Sequence, residues 1–138
     1  MGNFSVITVL LTSLVFGLLI PILELNQTHL FNTEWPSHAR LHEAWQLITN
    51  ATISALALYL VWTGKAPKIA IVLSLIIGLS FLTAFVLGGS YGGSMLHTDG
   101  TQKAVGGINV AILVVVPLMA MLLFSLVRGR ATVVQGKT

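Results

Sequence analysis

Cysteine is absent from these 138 residues, and charge is scarce: four acids and seven lysines or arginines make up 8% of the chain. The first absence removes disulfides, thiolate metal sites, thioether-linked haem and cysteine nucleophiles together. The second excludes an ordinary soluble domain, in which about a quarter of residues are charged. The net charge of +3 is scattered over several links and builds no basic patch for nucleic acid. There is no internal repeat and no low-complexity tract.

What fills the chain is apolar. Hydrophobic residues reach 55%, and they gather in four uncharged runs, 5–23, 44–63, 69–87 and 104–127, each near the ~20 residues that cross a hydrocarbon core. Lipid offers no partner to a backbone N–H or C=O, so runs of this length are helices. The expectation is an all-α fold, an integral membrane antiparallel four-helix bundle forming one domain over 1–138. The first run has no basic segment before it and no small-x-small site after it, and so reads as a span rather than a secretory signal. Pro21 and Pro117 should each disturb their helix.

Lys65, Lys68, Arg128, Arg130 and Lys137 fall beside the second link and after the fourth run, against only Arg40 and Lys103 in the other two links. The positive-inside rule then puts both termini in the cytoplasm, of a cell membrane if the source is bacterial. Every acid (Glu24, Glu34, Glu43, Asp99) and every histidine (His29, His38, His42, His97) lands on the opposite side. A solvated acidic face and a functional site both account for this asymmetry. The third link, 88–107, carries seven of the thirteen glycines and reads either as a plain connector or as a mobile cover over that end.

The stretch NQTHLFNTEWPSHARLHEAWQLITN, residues 26–50, concentrates the polar chemistry. Pro36 suits the first turn of a helix, with Asn32, Thr33 or Ser37 available as cap. At ~100° per residue, His38, His42, Glu43, Trp45, Gln46, Thr49, Asn50 and Ser54 share an arc of roughly 180°, and Arg40, Leu41, Ala44, Leu47 and Ile48 take the other half. A polar arc that enters the membrane needs other helices or a wet cavity, so it is expected to line a pocket open to the outside. His38 and His42 stand one turn apart, a spacing that can place two imidazoles on one metal. A zinc-protease helix would need histidine where Gln46 stands, so that family is excluded. Completing a metal site falls to Glu24, His29, His97 or Asp99, with His97 and Asp99 favoured because the glycine-rich link can fold over. His29 alone reads as an interfacial side chain. Trp35 and Trp45 read as interfacial anchors, with Trp62 their counterpart on the other side. Arg40 reads as snorkelling to head groups.

In the segment NQTHLFNTEWPSHARLHEAWQ the sequence resembles a group of small four-span membrane proteins with an Asn-x-Thr-His, Phe-Asn-x-x-Trp-Pro-x-His-Ala, Arg-x-His pattern. The resemblance covers about a fifth of the chain and implies the four-span fold without an activity. A looser architectural likeness ties the helical layout to four-helix sterol isomerases.

Two functions follow from the residues. In the first, His38, His42 and Glu43 do acid–base chemistry on a lipophilic small molecule or membrane lipid, with Gln46, Asn50 and Trp45 as ligand-binding neighbours. The same pocket could instead hold a divalent metal ion on His38, His42, His97 and Asp99. In the second, the chain is a non-catalytic subunit or scaffold, as a homo-oligomer or within a larger membrane complex. A small transporter or a haem protein is a third class.

Overall fold

The computed structural model describes residues 2–97 and 100–135, with side chains through Arg128. Helix α1 covers Asn3–Glu24, α2 Ser37–Trp62, α3 Pro67–Tyr91 and α4 Val110–Gln135. All four are long and apolar enough to cross a membrane. Helix α1 packs on α2, α3 and α4, while α2 meets α3 and α3 meets α4. The shared core includes Val9 and Phe16 of α1, Ala57 of α2, Ile71 of α3 and Leu122 of α4. Outward positions stay apolar, as Val86 at 76% exposure and Ile48 at 67% show. Water would penalise such a surface and lipid would not.

The fourth run departs from expectation at its start. Ala104–Val105 (β1) pairs antiparallel with Ile108–Asn109 (β2), and Gly106 and Gly107 between them take φ of 58° and 82°. Two successive positive-φ residues are what a tight type I′ hairpin turn requires. The hairpin therefore takes the first six residues of the expected span, and the helix begins at Val110. Asn109 ends the hairpin and caps the helix, its Oδ1 accepting the Ala111 N–H at 2.9 Å.

Helix α1 is not uniform. Residues Val15–Leu19 form a π turn directly before Pro21. Proline has no N–H to give the carbonyl four residues back, which belongs to Gly17, and its ring crowds that carbonyl; widening the turn relieves the conflict. At Gly17 α1 also lies close against α2, since a Cβ there would stand 2.6 Å from the Ser54 Cβ. In α4, by contrast, the helix runs through Pro117.

Gly17→Ala should lower stability in detergent by about 1–3 kcal/mol, the usual cost of overpacking, despite alanine's better helix propensity. The Ser54 Cβ is fixed to backbone and cannot swing away, so Ser54→Gly should restore most of the loss. Equal thermal unfolding of wild type and Gly17→Ala would remove this contact from the account.

Candidate functional site

The segment 25–36 between α1 and α2 is folded by its two asparagines. Asn26 Oδ1 accepts the backbone N–H of Thr28 at 2.7 Å and of His29 at 3.1 Å, and Asn32 Oδ1 accepts that of Glu34 at 2.9 Å. Such Asx turns replace the missing helix bonds with local ones. Pro36 serves as the N-cap residue itself, with no side-chain cap bond, and α2 begins at Ser37.

This turn brings His29 back onto the end of α1. Its Nε2 lies 3.0 Å from Glu24 Oε2, and its Nδ1 lies 2.9 Å from the Thr28 hydroxyl. The ring meets His97 edge-on at 5.3 Å between centroids and Trp35 at 6.1 Å. His97 is held in its own turn, its N–H donating to the Thr101 carbonyl at 2.8 Å and its carbonyl accepting from Gly100 at 2.9 Å. Glu43 of α2 and Lys103 are close enough to act on His29 through their charges, and Glu43 also feels Glu24. Two carboxylates and two imidazoles, from α1, α2 and both links at this end, thus form one half-buried group.

Burial lowers the His29 pKa below the ordinary imidazole value; His97 and Lys103 push the same way and Glu43 opposes them. With the ring neutral, the contact with Glu24 is a hydrogen bond rather than an ion pair, and Nδ1 lies beside a Thr28 hydroxyl that donates its own proton to Asn26 Oδ1 at 2.7 Å. Because the folded pKa is depressed, the unfolded chain takes up the proton first on acidification. The stabilisation is complete above ~6.5 and is lost as pH falls from there through the lowered pKa.

The polar arc of α2 does not act as one face. Leu47, Ser54 and Ala57 are buried and Arg40, Glu43, Ala44, Asn50 and Ala51 half-buried, whereas His38, His42, Trp45, Gln46 and Thr49 are exposed. A helical wheel gives angles between residues but not which angle faces inward; here the inward direction follows the small side chains that admit α1. The expected cavity shared by His42, Gln46 and Asn50 is therefore split, with only Asn50 turned partly inward. Arg40 also turns inward, its Nε enclosed and without a partner among the described residues. His38 and His42 point their Nε2 atoms at each other, 2.9 Å apart, and Trp45 lies 5.8 Å from the His42 ring.

His97 packs against His29, not against the His38–His42 pair, and Asp99 lies outside the described residues. Among the described residues no group of three or more histidines and carboxylates is placed to hold a metal ion. Glu24 and His29, secondary in the sequence reading, are at the centre of the cluster. The signal for them was the pair of asparagines at 26 and 32, whose turn-forming habit folds the intervening histidine back. An open apolar groove of about 810 Å³ runs along α3 past Leu79 and Thr83 to Tyr91, lined by none of the cluster residues. No protein-family model matches the sequence, and neither a curated protein nor a solved structure is significantly similar to it.

By NMR in micelles, the His29 ring should titrate below an ordinary histidine. Glu43→Gln should move its midpoint further down and His97→Ala should move it up. Shifts of the opposite sign would mean that the four groups do not share one field.

Proposed function

We propose that the chain inserts as an antiparallel four-helix bundle with both termini cytoplasmic, and that its outer end binds the polar group of a lipophilic molecule and moves a proton on it. The observation that carries this reading is the contact of His29 with both Glu24 and His97, with Glu43 brought alongside from the second helix. A neutral imidazole hydrogen-bonded to a carboxylate can give or take a proton with little rearrangement. The second carboxylate and second imidazole supply a place for that proton to go. Acid–base work is favoured over metal binding at this cluster because the donors pair with one another. The α3 groove ends at Tyr91, at the same end of the helices, and supports an apolar tail on the ligand.

A second reading, a docking subunit, has its own observation. Gln46 and Thr49 are exposed on α2 and carry no side-chain hydrogen bond among the described residues. An amide and a hydroxyl turned toward lipid favour a protein neighbour.

Two measurements separate and test these. Native mass spectrometry of protein extracted from its own membrane should show a bound lipophilic molecule that is lost in Glu43→Gln and His29→Gln but kept in Gln46→Leu. In any turnover found on that molecule, His29→Gln should cost about 10²–10⁴-fold in rate. Ligand-free protein that travels with a second protein, lost in Gln46→Leu, would instead leave the docking reading standing. For orientation, a membrane-impermeant thiol reagent on intact cells should label Gln102→Cys and spare Lys65→Cys. The chain has no cysteine of its own to confuse the result, and the reverse labelling would invert the topology.

A further inference from the structure

The acid–base cluster leaves out the His38–His42 pair. Both rings are exposed, one helical turn apart, with Nε2 atoms 2.9 Å from each other and ring planes 88° apart. As a hydrogen bond this contact needs one nitrogen to carry the proton and the other to lack it. As a chelate it needs neither, because both rings can keep the proton on Nδ1 and offer Nε2 lone pairs to the same point. Cis positions on a tetragonal ion with bonds near ~2.0 Å lie about 2.8 Å apart, whereas two positions on tetrahedral zinc lie about 3.4 Å apart. The observed 2.9 Å, which equally suits an N–H···N hydrogen bond between the rings while no ion is bound, lies nearer the first.

We infer that His38 and His42 form a two-nitrogen chelate for a divalent transition ion of tetragonal preference, Cu²⁺ before Ni²⁺ and both before Zn²⁺. The order follows from the geometry and from the general affinity series of imidazole sites. Imidazole is the right donor type, and exposure leaves the approach open. With no third histidine or carboxylate placed to join them among the described residues, the remaining positions on the ion go to water or to a donor from another molecule. His97, expected from sequence to complete the site, is engaged with His29 instead. The chelate is independent of the acid–base reading, since none of its residues belongs to that cluster.

The test uses full-length, tag-free protein in detergent titrated with Cu²⁺ chloride. Electron paramagnetic resonance should show about one tetragonal copper per chain with two-nitrogen coordination. Trp45, beside His42, should lose fluorescence as the copper binds, and Trp45→Phe should remove most of that quenching. His38→Ala and His42→Ala should each weaken binding by at least the about tenfold that losing even an outer-shell partner costs. His29→Ala and His97→Ala should leave it unchanged. Both chelating residues are exposed, and an unchanged circular dichroism spectrum and elution volume would show that their variants still fold. Copper that binds equally well to His42→Ala, for instance at the N-terminal amine, would overturn the inference, as would wild-type protein that takes up none. Copper bound at one per two chains, still lost in His42→Ala, would support it and place the pair of a second copy opposite the first.

Discussion

The arrangement turns on one close approach, Gly17 of α1 against Ser54 of α2. Glycine lacks the atom that would hold the two backbones apart, and the π turn forced by Pro21 presents that glycine to its neighbour. Once Ser54 faces α1, the rotation of the whole second helix is fixed. Glu43, eleven residues earlier and so three turns up the same face at ~100° per residue, must face the end of α1, where Glu24 sits. The same rotation sends His38, His42 and Thr49 to the opposite side. One packing contact in the middle of the helices therefore decides which polar groups meet at their end.

Small polar side chains recur wherever helices touch. Thr8 and Thr12 are buried and return their hydroxyl protons to carbonyls one turn back, Phe4 at 2.8 Å and Thr8 at 2.9 Å. Ser13, Ser54, Ser74 and Ser125 are equally buried, with hydroxyl oxygens that have no partner among the described residues. In water, apolar burial would drive such contacts; between helices in lipid, close packing of small residues takes over that part. Serine serves here mainly by being small.

The helices were legible in the sequence because four long uncharged apolar runs display directly the length and composition that crossing a membrane would need. Their ends were less so. Gly106 and Gly107 could be read as flexible, but that Val105 and Ile108 would pair across them depends on the two residues between being free to take positive φ in succession. The candidate site was legible as a place and not as a partnership. Residues 26–50 were marked by their polar content, yet the wheel of α2 could not tell that Leu47, rather than His42, would be buried. His29 looked like an isolated interfacial side chain because its partner Glu24 ends a helix and its neighbour His97 is 68 positions away. The turn-forming habit of Asn26 signals that the chain folds back there, but not which groups the turn brings together.

Splitting the polar arc gives the two histidine pairs different chemistry. His29 and His97 are half-buried and in ring contact; His29 touches the Glu24 carboxylate, and burial and positive neighbours favour its neutral ring. His38 and His42, at the exposed start of a helix, pack on each other, and His42 on Trp45. A proton on the first pair can pass to a carboxylate within the protein; a proton on the second pair can only be exchanged with solvent or displaced by a ligand. A buried, carboxylate-linked imidazole is suited to shuttling charge to something held against it. An exposed pair with two neighbouring imidazole nitrogens is suited to capturing an ion. The same residue type thus carries two functions in a chain of few charges, separated by the rotation that Gly17 imposes on α2.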